Sequence, residues 1–99
     1  MHTINLPIHI LHQLQQEKGS SYRTAIKFRE EDAPDFARYE YEIANLVGEE
    51  KLGRHCRAIE QELVITKMNK VYDILTVATI SKPESKIQIY FDITLVFGK

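Results

Sequence analysis

Two histidines near the start of the chain have the spacing of a metal-binding pair. His9 and His12 are three residues apart, and residues at that interval share one face of a helix. A zinc site needs three or four ligands. His2 precedes the predicted helix, and Glu17 falls away from the face of the two histidines. We therefore interpret both as surface polar residues, and we expect neither a metal site nor a cofactor.

A nucleophile and a base are adjacent only in the run Arg54-His55-Cys56-Arg57. Sequence neighbours on a helix point about 100° apart, so these two side chains would not face each other. Cys56 also lies at helical spacing from Leu52 and Ile59, which favours a small core residue. Two arginines would lower the thiol pKa only if Cys56 were exposed, and that alternative stays open. We expect no catalytic residue here.

The acidic residues form no recognisable catalytic motif. Asp73 and Asp92 fall on the same face of the predicted sheet but not opposite each other. The sequence has no glycine-rich phosphate loop, nucleophile elbow or dinucleotide fingerprint. The sequence therefore favours a non-enzymatic protein without a small-molecule site. We interpret the other acids as helix starts and solvated faces: Glu30, Glu31, Asp32, Glu40, Glu42, Glu49, Glu50, Glu60 and Glu62.

Composition limits the classes of protein further. The 99 residues suit one domain, residues 1–99, with 43% hydrophobic and 27% charged residues. The net charge of −1, with acids and bases intermixed, argues against a global positive field for nucleic acid. One cysteine excludes an internal disulfide and favours a reducing cytosol. We expect a cytoplasmic protein, since the N-terminus resembles no signal peptide and no apolar run spans a bilayer.

The clearest element is a C-terminal hairpin of residues 71–80 and 86–97. Its second strand alternates strictly, which predicts one buried face: Ile87, Ile89, Phe91, Ile93, Leu95 and Phe97. Pro83 lies in the turn-forming run between the strands. A loop of residues 82–85 would pair Ile80 with Ile87 and Tyr72 with Leu95. This register places the apolar halves of both strands together and keeps Asp73 out of the core.

The reverse face of this hairpin is the predicted protein interface. It mixes apolar residues with carboxylates, as an interaction site does: Leu75, Val77, Tyr90, Asp92 and Val96. The alternative is an ordinary exposed face on which Val and Tyr reflect β propensity alone. The specific prediction is that two copies of the chain form a homodimer through this face.

The remaining elements predict an α+β domain. A helix over residues 6–18 begins at Asn5 and stops before Gly19. A strand over 22–29 follows, with a helix as the alternative. A second helix starts at the cap Asp32 and ends at Gly48, and a third begins at Glu49. Residues 63–67 return to a strand before a turn at 68–70. We expect an antiparallel sheet, a C-terminal meander plus one N-terminal strand, packed on one face by about three helices.

A basic outer face on the N-terminal strand supports a second function. This face carries Arg23, Lys27 and Arg29, joined by Arg54 and Arg57 from a later segment, and these residues could contact phosphates. Aromatic neighbours suit single strands, but the alternation places Tyr22 and Phe28 on the opposite, buried face. Edge strands also carry such charges merely to resist aggregation. We therefore favour a small protein-binding or regulatory module, inhibitor- or immunity-like. It would act through the hairpin face or an exposed strand edge, with nucleic-acid binding as the alternative.

Overall fold

The computed structural model describes residues 6–53, 55–82 and 84–99. They form two α-helices, one short 3₁₀ helix and four strands. This confirms the α+β class, with fewer α-helices than the three expected. The elements are α1 (Ile8–Gln15), β1 (Ile26–Lys27), the 3₁₀ helix (Glu30–Asp32), α2 (Phe36–Leu52), β2 (Cys56–Ile65), β3 (Val71–Thr79) and β4 (Lys86–Asp92).

The four strands form one mixed sheet in the order β1-β4-β3-β2. β2 with β3 and β3 with β4 are antiparallel, whereas β1 runs parallel to β4. The purely antiparallel sheet predicted from the sequence is therefore wrong at this edge. The parallel contact is short: it pairs only Ile26 with Phe91 and Lys27 with Asp92, and Phe28 N donates a hydrogen bond to Asp92 O just beyond it.

Both α-helices contribute to the core on one face of the sheet. Ile10 of α1 and Ile43 of α2 are fully buried, as are Leu75 and Val77 of β3 and Phe91 of β4. Burying side chains of this size contributes about 1.5–3 kcal/mol each. The covered face of the sheet consists of the odd-numbered residues of β3 and β4.

The register of the C-terminal hairpin differs from the prediction. Ile87 pairs with Val77 instead of Ile80, and Phe91 pairs with Asp73. The strands are thus shifted by three residues, an odd number, so the two faces of β3 are exchanged. The odd residues of β4 face the core as predicted, but on β3 the predicted outer residues Leu75 and Val77 lie beneath the helices.

The last strand ends earlier than predicted, at Asp92. Oδ1 of Asp92 accepts hydrogen bonds from Thr94 Oγ1, at 2.6 Å, and from Thr94 N, at 3.1 Å. Such a side-chain turn competes with strand continuation. The chain then turns at Ile93, whose carbonyl accepts from the amides of Val96 and Phe97. Val96 enters the core, while Leu95 and Phe97 are about half exposed.

The N-terminal elements are shorter than predicted. α1 begins after Pro7 and ends at Gln15; the predicted cap Asn5 lies outside the described residues. Glu17 has a positive φ of 57°, and Lys18 N donates to the carbonyl of Gln13, which closes the helix by a C-terminal turn. Only 26–27 of the predicted strand 22–29 is a strand.

The predicted break at Gly48 and the third helix after it are wrong. α2 continues through Gly48 to Leu52, and the following segment is strand β2. A Cβ placed on Gly48 would lie 2.6 Å from Sγ of Cys56 and 2.8 Å from Cγ1 of Val77. Gly48 is therefore a place where α2 approaches the sheet so closely that a side chain would not fit.

Replacing Gly48 with Ala should destabilise the protein. Helix propensity favours Ala by about 1 kcal/mol, but overpacking costs about 1–3 kcal/mol. The contacts of 2.6 and 2.8 Å place Gly48 in the upper part of that range, about 2–3 kcal/mol, so we expect a net loss of about 1–2 kcal/mol in urea unfolding. Asn45→Ala, at an exposed position of α2, is the control and should not destabilise. Adding Cys56→Ala should restore part of the loss. A Gly48→Ala protein as stable as the unsubstituted chain would disprove the close contact.

Candidate functional site

The outer edge of β2 is the longest strand edge that the described part of the chain leaves without a neighbouring strand. β2 has ten residues and lies at the end of the sheet. It carries three of the exposed large apolar side chains: Ile59 (40% exposed), Leu63 (49%) and Ile65 (59%). A long apolar edge is a template for pairing with another strand.

The hydrogen-bond pattern shows which backbone groups of β2 point outward. Thr66 N donates to the carbonyl of Lys70, so the peptide groups of Thr66 face β3. Because an antiparallel ladder alternates, Val64 and Glu62 also face β3. The amides and carbonyls of Gln61, Leu63 and Ile65 therefore point away from the sheet.

The two halves of this edge differ. A register shift between Ala58 and Glu60 marks a β-bulge around Ile59. A bulge twists an edge away from further pairing. The second half has no bulge, no proline and no charge over Leu63, Val64 and Ile65; we call these three residues the open segment.

The opposite edge of the sheet is closed by a side chain. The Gln13 amide accepts from Lys27 N at 2.7 Å and donates to Lys27 O at 2.9 Å. A primary amide offers the same donor and acceptor as a peptide group. Gln13 thus satisfies the outward backbone groups of β1 as a neighbouring strand would, and the open segment has no such cap among the described residues.

A buried cluster of polar side chains lies beneath α2 beside this edge. Glu40 of α2 is 1% exposed and Asp73 of β3 is 2% exposed. Gln61 Nε2 donates to both carboxylate oxygens of Asp73, at 3.0 and 2.8 Å. Glu40 forms a side-chain hydrogen bond with Asp73. The prediction that Glu40 lies on a solvated face is wrong, because Asp73 gives it a polar partner inside the protein.

Burial, followed by the hydrogen bond and charge of Asp73, raises the pKa of Glu40 to about 9. Glu40 therefore keeps its proton at pH 7 and is neutral. Its carboxyl group can donate a hydrogen bond to Asp73. Such a pair resembles catalytic acids in its chemistry, but neither carboxyl group reaches solvent. The pair connects α2 to β3. Asp92, predicted on the same face as Asp73, lies on the other face, 3.6 Å from Lys70 Nζ.

The predicted hairpin interface is divided by the observed register. Leu75, Val77 and Val96 are fully buried, and Asp92 is 6% exposed, so the exposure predicted for these four residues is wrong. Tyr90 lies on the outer face, where its ring is 4.9 Å from that of Tyr22. Tyr22 also contacts Tyr72, with ring centroids 5.0 Å apart. These aromatic contacts cover the part of the sheet that was predicted to bind a partner.

Four of the five predicted nucleic-acid residues are exposed but do not form one patch, and Arg54 lies outside the described residues. Arg57 pairs across β2 and β3 with Ala78, whereas Lys27 pairs with Asp92 on the opposite side of the sheet. Three strand spacings alone separate them by about 14 Å. Arg23 lies in the turn before β1, and Arg29 precedes the 3₁₀ helix. Nucleic-acid binding by these residues stays a prediction.

The other candidate groups are placed in unrelated surroundings. His9 Nε2 lies 2.9 Å from Oδ2 of Asp32, while His12 is exposed. In the described ranges, no three metal-ligating side chains come together. Burial and the charge of Glu49 raise the pKa of the Cys56 thiol, which disfavours the reactive thiolate.

A groove between α1, α2 and β4 was missed by the sequence analysis. It encloses about 400 Å³, a size typical of ligand sites. Its apolar floor includes Leu46 and Ile89, while Lys18, Lys51 and Glu50 lie at its rim. Lysines and glutamates stand together there, so the groove has no charge preference that would identify a ligand.

Neither of the two described α-helices is long and apolar enough to cross a membrane. Comparison of the chain with protein-family models, with curated proteins and with solved structures gives no match.

Titration of Glu40 should make the protein less stable as the pH rises. Unfolding returns Glu40 from a pKa of about 9 to the ordinary 4.5. Its stabilising contribution is therefore complete below pH 4.5 and declines up to pH 9. Between pH 5 and pH 7 we expect a loss of up to about 3 kcal/mol.

The matched variant is Glu40→Gln, which keeps a hydrogen-bond donor toward Asp73 but does not titrate. Urea unfolding measured from pH 5 to pH 9 should show a flatter stability profile for this variant. Glu42→Gln, at a less buried position of the same helix, is the control and should follow the unsubstituted protein. Parallel profiles for Glu40→Gln and the unsubstituted protein would contradict a protonated Glu40.

Proposed function

We propose that this chain is a non-enzymatic protein-binding module that accepts a β-strand of its partner along the outer edge of β2. The observation that carries this proposal is the open segment: no described residue caps its outward backbone groups, while the other edge of the same sheet is capped by Gln13. Strand addition of this kind takes affinity from main-chain hydrogen bonds and specificity from alternate side chains.

The side chains at this edge support the same proposal. Leu63 and Ile65 pair across β2 and β3 with Asp73 and Val71, so both lie on the helix-covered face, yet they are 49% and 59% exposed. α2 therefore leaves a space above them at the edge of the sheet. A partner strand would present its own apolar residues to that space.

The proposal gives the module a regulatory, inhibitor-like role. A module that occupies a partner's strand prevents that strand from pairing elsewhere. Glu40 and Asp73 are buried where no substrate would reach them, and the raised pKa of Cys56 disfavours its reactive thiolate. Both observations support binding rather than catalysis. The cytoplasmic location predicted from the sequence is compatible with this role and stays a prediction.

A peptide that copies residues 59–67 provides a direct test. Fluorescence anisotropy of the labelled peptide should show saturable binding to protein diluted until it is monomeric. N-methylation of the peptide at Leu63 and Ile65 removes two backbone donors without changing the side chains. This should weaken binding at least about fivefold, since each of the two lost hydrogen bonds contributes about 0.5–1.5 kcal/mol.

Two protein variants localise the binding to the edge. Leu63→Lys places a charge on the edge and should abolish peptide binding. Leu95→Lys changes a leucine that is equally exposed, 50% against 49%, and should not affect it. Equal binding by both variants, or no binding by the unsubstituted chain, would refute strand addition. Binding of a labelled single-stranded oligonucleotide in place of the peptide would support the nucleic-acid alternative.

A further inference from the structure

We propose that the strand accepted by β2 is β2 of a second copy, paired antiparallel about a twofold axis through Val64. This inference rests on the proposed function and names its partner. The resulting dimer has one continuous sheet in which the two β2 strands are neighbours at the centre. Twofold pairing is the commonest symmetry of homo-oligomers.

The hydrogen-bond phase of β2 restricts how two copies can pair. The outward peptide groups belong to Gln61, Leu63 and Ile65, as the bond from Thr66 N to Lys70 O requires. Outward groups of one copy must face outward groups of the other. The twofold axis must therefore pass through a residue and not between two residues.

Charge selects among the registers that remain. With the axis through Gln61, Glu60 would face Glu62 of the second copy, and with the axis through Glu62 that residue would face itself. Like charges directly opposite each other destabilise a sheet. With the axis through Leu63, the two Glu62 carboxylates would still be diagonal neighbours, about 7–8 Å apart.

The axis through Val64 avoids all of these repulsions. An axis through Ile65 would avoid them too, but it would place Leu63 opposite Lys67 of the second copy instead of an apolar residue. Leu63 then faces Ile65 of the second copy on the helix-covered side, and this pair occurs twice. Glu62 faces Thr66 of the second copy, and Gln61 faces Lys67. The two leucine–isoleucine pairs fill the spaces that α2 leaves above the 49% and 59% exposed side chains. A net charge of −1 per copy adds little repulsion between the two protomers.

The bulge near Ile59 fits this register as well. In the dimer the two strands overlap from about Gln61 onward, so the irregular first half of β2 remains outside the paired region. The bulge thereby prevents a longer overlap in which Glu60 and Glu62 would meet. The alignment of the two copies is set by these features of one strand.

Disulfide crosslinking in a Cys56→Ala background tests the axis. Two Val64 residues facing each other in a non-hydrogen-bonded pair would have Cα atoms about 4.5 Å apart, within the range of about 4.4–6.8 Å for a disulfide. Val64→Cys should therefore oxidise to a covalent dimer. Leu63→Cys is the control: its two copies would be diagonal neighbours about 7–8 Å apart, beyond the usual range of a disulfide, and should stay monomeric under denaturing electrophoresis.

Light scattering over a dilution series gives an independent measurement with no cysteine. The unsubstituted chain should change from dimer to monomer, and Leu63→Lys should raise the dissociation constant at least about tenfold, whereas Leu95→Lys should not. A monomer at every concentration, or crosslinking of Leu63→Cys in preference to Val64→Cys, would overturn the inference. A monomer that still binds the peptide of residues 59–67 would overturn self-pairing alone, whereas a monomer that binds no peptide would remove the proposed function too.

Discussion

The arrangement of the sheet depends on the hydrogen bonds that Asp73 makes beneath α2. Gln61 of β2 donates hydrogen bonds to both carboxylate oxygens of Asp73, and Glu40 of α2 forms a hydrogen bond with the same carboxylate. A buried polar group left without partners costs about 1–3 kcal/mol. Shifting β3 by one residue would move Asp73 to the other face and leave Glu40 buried alone. Three elements are therefore fixed relative to one another by one carboxylate.

This cluster also explains why the sequence predicts β4 well and β3 poorly. β4 is apolar only at odd positions, so its buried face is unambiguous. β3 is apolar on both faces, with Leu75 and Val77 on one and Tyr72 and Ile74 on the other. Which face of β3 is buried then depends on where Asp73 lies, and hydrophobicity alone predicts that Asp73 lies on the exposed face. Its two polar partners are distant in sequence, and no local pattern indicates that they converge on it.

The sequence failed to predict most of strand β2 for a different physical reason. Leu52, Cys56, Ile59 and Leu63 recur at helical spacing, although Leu52 ends a helix and the other three lie in β2. Pairing with β3 overrides this periodicity, as tertiary contacts override weak local preferences. The β-branched residues at the end of β2 did predict a strand there. An exposed strand edge was foreseen as a general possibility, but which strand it was, and the bulge at Ile59, depend on pairing that the sequence does not display.

The two edges of the sheet differ in whether their outward backbone groups are bonded, and this difference relates the fold to the proposed binding. Gln13 shows what closing an edge requires, one donor and one acceptor in line with the strand. Within the described ranges no side chain supplies such a pair to the open segment. Gln61 belongs to the buried cluster through its side chain and to the open edge through its backbone. A strand bound to the outward groups of Gln61 would restrict the residue that donates hydrogen bonds to both carboxylate oxygens of Asp73. Binding at the edge would therefore strengthen the contacts that fix the register of the sheet, since both use the same residue.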